Sequence, residues 1–337
     1  MSTIHFLNVK LGDCSVIKHN SGRVTVIDVC NAKPTDVQTE KRISEMAKLE
    51  KGIGGNFQQK KYPVSPISYL KDHSIYDIFR YIQTHPDMDH MDGIKTLYDE
   101  FSFANFWDTD NTKEIDEESW ENSPYNEEDW DFYKYLRDTK PHENPRRLAL
   151  LSDASGQYWN VGDDGSSGGD GIQILAPTQE LIDAVNEADN DYNDCSYVLL
   201  YRINGKRIIF SGDSHDDTWA HILENYEDDI KNIDLLIAPH HGRDSDRSYE
   251  FLDVLKPTLT FFGIASSKDL AYSKWRSRGL SIITNNQANC MVVNASTTPM
   301  KLYVTHVNFA KRVNSETFYD DGFKAWYVGY ITEDLIP

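Results

Sequence analysis

Four apolar, strand-like runs in this chain end in carboxylates or imidazoles. Residues 23–29 (RVTVIDV) carry Asp28, and residues 77–84 (DIFRYIQT) deliver His85-Pro86-Asp87-Met88-Asp89-His90. Residues 206–210 (KRIIF) run into Ser211-Gly212-Asp213, and residues 233–238 (IDLLIA) into Pro239-His240-His241-Gly242. An unpaired charge at the end of a buried strand is expensive. Four ligand-type side chains in six positions, 85–90, repel one another unless a cation sits among them. The 85–90 loop, Asp213 and the 240/241 pair are therefore expected within metal-ligand distance of one centre. Strands ending in Asp or His, with helical stretches between them, predict an α/β fold: a four-layer αββα sandwich with its site at the strand ends.

The rest of the pattern suits two sheets. Residues 3–9 and 14–19 alternate about Leu11-Gly12-Asp13, and residues 197–203 meet 206–210 through Asn204-Gly205, a hairpin signature. Further strands are expected at 172–176, 258–264, 281–284 and 290–293, and helices near 67–70, 178–188 and 219–225. Residues 31–63 read as a partly helical excursion or a mobile loop. The patch 107–145 sets Trp107, Trp120 and Trp130 among many Asp and Glu. It reads as a solvated insertion anchored by its aromatics, with a substrate lid or protein-partner surface as the alternative. The glycine-rich stretch 161–171 has no lysine and no P-loop spacing, so it reads as a turn. In domain terms, residues 1–300 form one unit with the insertion at about 100–150, and residues 301–337 are a C-terminal extension packed on it.

Composition narrows the function classes. With 337 residues, 39% hydrophobic and 12% aromatic, the chain has material for a large core, which excludes disordered and collagen-like classes. No run approaches 18 apolar residues and mean hydropathy is −0.58, so no membrane span is expected. The opening MSTIHFLNVKLGDC lacks a secretory pattern, and Cys14, Cys30, Cys195 and Cys290 form no C-x-x-C. Both point to a cytoplasmic protein with reduced thiols. A net charge of −20 opposes general polyanion binding.

These residues resemble the metallo-β-lactamase superfamily over roughly residues 3–295. His85-x-Asp87-x-Asp89-His90 is similar to that family's H-x-H-x-D-H loop with Asp in place of the second His. The replacement is typical of the branch that holds the hydrolase-like domain of the competence protein ComEC and the choline-phosphate esterases of teichoic acids. Asn8-Val9-x-x-Gly12-Asp13, Asp28, Asn193-x-x-Ser196, Ser211-Gly212-Asp213 and His240-His241-Gly242 match in order. The resemblance implies two divalent ions, Zn²⁺ and/or Mn²⁺. One would take His85 and Asp87, the other Asp89, His90 and either His240 or His241, with Asp213 bridging. Asp28 would support the metal loop from behind. The family's middle ligand His has no counterpart; the matching region reads Asp191-Tyr192-Asn193-Asp194-Cys195-Ser196, leaving Asn193 or Asp194 for that place and Cys195 as a soft ligand or an inert buried thiol. Asp87 makes its side oxygen-rich, which favours Mn²⁺ there. His215, Arg243 and Ser245 stand where they could line a substrate pocket.

The implied activity is metal-dependent hydrolysis through a metal-activated water, with Asp89 and Asp213 central. A phosphodiesterase, most of all a nuclease, is the first reading, and Lys268, Lys274, Arg276 and Arg278 beside Trp275 offer a strip for DNA; an amphipathic helix face is the plainer account of the same residues. A small-molecule phosphoester hydrolase and an inactive metal-binding partner protein are the alternatives.

Overall fold

Period-two alternation sorts the apolar residues onto the two faces of two sheets. The computed structural model describes residues 1–33, 36–52, 54–139, 143–162, 164–189, 191–266 and 268–336. Positions 34, 35 and 53 of the polar excursion, 140–142 of the insertion and 163 of the glycine-rich stretch lie outside them. The first sheet has the strand order Tyr319–Asp320, Ala325–Tyr330, Lys301–Val304, Met291–Asn294, Thr3–Phe6, Ser15–Lys18, Val24–Ile27, Ile78–Ile82, Phe103–Trp107, Arg146–Leu148. The second runs Ile282–Thr284, Leu259–Phe262, Leu235–Ile237, Lys206–Phe210, Val198–Ile203, Ile172–Ala176.

Between the sheets, Ile4, Phe6, Ile17, Ile27, Ile82 and Trp107 meet Ile174, Leu199, Ile208, Phe210, Ile237 and Phe261. The alternate residues face outward. Val16, Val26, Tyr81 and Phe106 pack with Leu70, Leu97, Trp130 and Leu136 from helices Pro66–Asp72, Ile94–Phe101 and Glu127–Arg137. Leu200, Ile209 and Leu236 pack with Trp219, Ile222, Leu252 and Trp275 from helices Asp216–Ile230, Phe251–Leu255 and Tyr272–Arg276. The result is the expected αββα sandwich. Each fully buried large apolar side chain contributes roughly 1.5–3 kcal/mol, so the interlayer packing dominates over any surface ion pair.

Val24–Ile27, Ile78–Ile82 and Phe103–Trp107 are parallel neighbours, as are Lys206–Phe210, Leu235–Ile237 and Leu259–Phe262. Parallel strands place their C-terminal ends on one rim, the usual site of ligand loops. Asp28, the 83–90 segment, Ser211–Asp213 and the 238–242 turn all leave from those ends.

The polar excursion is partly helical, as expected: it contains the helix Val37–Leu49, capped by Asp36, whose carboxylate accepts from the Gln38 and Thr39 amides. Other local expectations change. Trp107 is the last residue of a core strand rather than an anchor of a solvated insertion, while Trp130 is buried on helix Glu127–Arg137. Lys301–Val304, Tyr319–Asp320 and Ala325–Tyr330 continue the first sheet. Trp275 is fully buried, and its indole N–H donates to Thr260 Oγ1. Its burial removes it from the proposed strip as a base-stacking surface. No helix among the described residues is long and apolar enough to cross a membrane.

Candidate metal centre

The backbone has been shaped to bring the rim loops close. A Cβ on Gly12 would fall 1.6 Å from the Asp89 carbonyl oxygen, so the 11–13 turn reaches the metal-type loop only as glycine. Gly212 has φ +49 and a Cβ there would meet Thr84 and Ser196. Its carbonyl accepts from the His240 amide, which ties the Asp213 turn to the 238–242 turn. His240 and His241 both adopt left-handed backbone angles, φ 52 and φ 57. Such angles are costly for side-chain-bearing residues and concentrate at functional loops.

Each side chain in the centre is held from behind. Asp28 lies at the end of its strand, with its carboxylate accepting from the Thr84 amide (2.7 Å), Thr84 Oγ1 (2.7 Å) and His90 Nδ1 (2.8 Å). Since Thr84 Oγ1 spends its proton on Asp28, it accepts from His85 Nδ1 at 3.0 Å. Both imidazoles therefore carry their protons on Nδ1 and aim Nε2 inward. Asp13 stands behind His241 with its Oδ1 3.0 Å from His241 Nδ1, an ion-pair approach that lacks the hydrogen-bond alignment Asp28 has on His90.

The inward atoms converge. His90 Nε2 is 3.2 Å from Asp213 Oδ1, and His241 Nε2 is 3.6 Å from Asp213 Oδ2 and 3.5 Å from Asp89 Oδ2. Among the described residues, three groups could hold a metal ion: His85, His90 and Asp213; Asp89, His90 and His241; Asp13, Asp213 and His241. His85 Nε2, His90 Nε2, His241 Nε2 and Asp213 Oδ1 are buried with no hydrogen-bond partner. Buried polar atoms are almost always paired, and this donor set of imidazole nitrogen and carboxylate oxygen is that of a divalent transition metal.

Electrostatics point the same way. Burial opposes ionisation of Asp213, yet His241, His90 and His240 hold its carboxyl well below the ordinary value. Burial likewise opposes charging of His90, but Asp213 and Asp28 push its imidazole well above its ordinary value; for His241, Asp213 and Asp13 do the same. The carboxylates demand positive charge at the Nε2 positions, which a proton or a metal ion supplies.

The remaining expected residues take other places. Asp87 is in none of the three groups. Its Oδ2 faces His85 Nε2 at 3.6 Å and its Oδ1 pairs with the ammonium of Lys113. His240 is in none of the three groups, and Arg247 holds its outer nitrogen, Nη2 donating to His240 Nδ1 at 3.1 Å. Its proton then sits on Nε2, 3.6 Å from Asp213 Oδ2. Burial, with His241, Arg247 and Arg243, lowers the His240 imidazole to about 4 against the pull of Asp213. Asp194 accepts from the amide and hydroxyl of Thr218 and so braces helix Asp216–Ile230. His215 precedes that helix, its Nδ1 4.0 Å from Asp216, and Arg243 is exposed. Asn193 Oδ1 is buried without a partner. Cys195 is buried, its Sγ donating to the Tyr192 carbonyl, and burial raises the thiol to about 12, which suits the inert role.

Sequence reasoning missed Thr84, Arg247 and Lys113, and left Asp13 without a role. Arg247 is buried and also donates to the Ser214 carbonyl; nothing in RDSDRS separates it from the exposed Arg243. Lys113 did carry a signal, as the lone basic residue between Lys95 and Lys134.

No protein-family model and no curated protein matches the chain. Among solved structures it is similar to Igni18, a novel metallo hydrolase from the hyperthermophilic archaeon Ignicoccus hospitalis, at 11% identity and TM-score 0.44 over 87% of this chain and 99% of that one. A new diphosphatase from the PhnP family is similar at 11% identity and TM-score 0.41, covering 87% of this chain and 97% of that one. Unliganded yeast PDE1 follows at 11% and 0.40, covering 84% and 98%.

Proposed function

We propose that this chain is a metal-dependent hydrolase that cleaves phosphodiesters. The observation that carries the reading is the convergence of the buried, unpartnered Nε2 atoms of His90 and His241 on Asp213. Asp89, His90, His241 and Asp213 would hold a divalent ion, Zn²⁺ suiting the nitrogen-bearing set. When bound, such an ion supplies Lewis acidity, lowering the pKa of water and offsetting charge on a phosphate.

The chain's own groups then have distinct tasks. Asp28 keeps the His90 ring proton on Nδ1 and its Nε2 lone pair inward, and the Asp13 charge beside His241 Nδ1 favours the same arrangement there. His240 offers its Nε2 proton to a substrate oxygen, its ring fixed by Arg247. Arg243, exposed beside it, adds positive charge at the mouth for an anionic substrate.

A small phosphodiester is favoured over a DNA strand. Trp275 is buried, and Arg278 is engaged by Asp253 at 2.7 Å. The overall charge of −20 repels an extended polyanion. The test compares hydrolysis of a chromogenic bis-aryl phosphodiester with that of single- and double-stranded DNA, in Zn²⁺ or Mn²⁺. Asp213→Ala is expected to retain no bound metal and to lose on the order of 10²–10³-fold or more in rate. An Asp213→Ala protein with full metal content and full rate sinks the reading.

A further inference from the structure

Asp87 does not fit a second divalent ion. Of the four ligand-type side chains in the 85–90 loop, it alone stands outside every candidate metal group, and one of its oxygens already pairs with a cation belonging to the chain. That cation is Lys113, contributed by the acidic insertion. Its ammonium also lies 5.3 Å over the Tyr192 ring, a cation–π distance.

The lysine is presented by a braced loop. Its amide donates to Asn111 Oδ1 (3.2 Å) and its carbonyl accepts from Arg137 Nη1 (2.8 Å). Buried Asn111 donates in turn to the Tyr133 hydroxyl (2.7 Å), which donates to Asp108 Oδ1 (2.8 Å) at the end of strand Phe103–Trp107. The Thr112 amide is fixed by Asn186 at 2.9 Å. A flexible surface lysine would gain little from an exposed carboxylate; here the backbone on both sides is held and the side chain is mostly covered, at 23% exposure.

We propose that Lys113 is a tethered cation standing in for a second metal ion, so that the centre binds one divalent ion tightly, among Asp89, His90, His241 and Asp213. The inference rests on the metal-hydrolase reading and concerns how many ions that site takes. An ion coordinated by Asp87 would be left with Oδ2, and would have to withstand the like charge of the ammonium held on Oδ1. Removing the ammonium frees the carboxylate and removes the repulsion together.

Metal stoichiometry tests this without turnover. Chelator-stripped wild-type protein and variants are equilibrated with Zn²⁺, desalted, and assayed for zinc per chain, with circular dichroism to confirm folding. Wild type and Lys113→Arg are expected to retain one ion. Lys113→Met is expected to retain two, its affinity for the second rising about 10–100-fold in titration. Adding Asp87→Asn to Lys113→Met returns it to one. Two tightly held ions in wild type, one in Lys113→Met, or two in the double variant overturns the inference alone. A wild-type chain that retains none overturns both the inference and the reading beneath it.

Discussion

At the residue scale, what stands behind an imidazole decides what it presents in front. His90 and His241 look alike in the sequence to His240, yet carboxylates back the first two and a guanidinium backs the third. A carboxylate behind Nδ1 leaves an Nε2 lone pair for a metal; a guanidinium behind Nδ1 leaves an Nε2 proton. On the function proposed above this difference favours His241 over His240 as a ligand, and the dipeptide His240-His241 does not contain it. Asp28 is the strongest of these backing groups because it serves Thr84 and His90 together. Asp28→Asn keeps the volume but weakens the acceptor, so Zn²⁺ affinity is expected to fall about 10–100-fold in competition with a chromophoric chelator. Unchanged affinity would reduce Asp28 to a brace for the Thr84 backbone.

At the element scale, the rim loops were legible because each follows an apolar strand and carries its chemistry in consecutive positions, as in residues 85–90 and 211–213. Interactions between elements left no such trace. Arg80 sits in the middle of strand Ile78–Ile82, buried between the layers, with its Nη1 donating to Thr25 Oγ1 (2.9 Å) and its Nη2 3.4 Å from Asp170. Asp170 ends the glycine-rich stretch that reads as a plain turn; it also takes Arg23 at 3.0 Å and the Ser21 hydroxyl at 2.7 Å. This carboxylate clamps that loop to two strands, and its partners lie 90 and 147 positions away in the chain. Breaking a buried pair strands a charge, which costs about 3–5 kcal/mol. Asp170→Asn is expected to lose stability of that size in urea unfolding. A loss below about 1 kcal/mol would mean that Thr25 and the Trp107 face, 4.9 Å from the Arg80 guanidinium, satisfy it unaided.

At the scale of the whole molecule, the sandwich was readable from alternation and strand-end chemistry, whereas its width was not: the three C-terminal strands join the first sheet through pairings that local pattern does not encode. Nor does sequence show how the interior sets the acid response, which opposing buried groups determine. Burial, ahead of relief from Arg147 and Tyr133, raises the Asp108 carboxyl from 3.8 to about 6. The folded chain then binds that proton more tightly, so the contribution is complete below about 4 and is lost as pH rises through about 6. A shift of about two units corresponds to about 3 kcal/mol. His5 and His19 act in the opposite sense. Burial, then His73 and Lys18, lowers His5 to about 3, and burial together with Arg80 and Arg23 lowers His19 to about 4 despite Asp170. Their stabilisation is present above 6.5 and is lost as pH falls toward those values. Between about pH 4 and 6 the two trends oppose one another, so the Asp108 part is read as a difference between variant and wild type in urea unfolding with chelator present. Asp108→Asn removes the Asp108 part of the trend that falls with pH and leaves the histidines untouched. Relative to wild type, the variant's unfolding free energy should therefore climb by about 2 kcal/mol from about pH 4 to 6, and two parallel profiles would show that Asp108 titrates as an ordinary carboxyl.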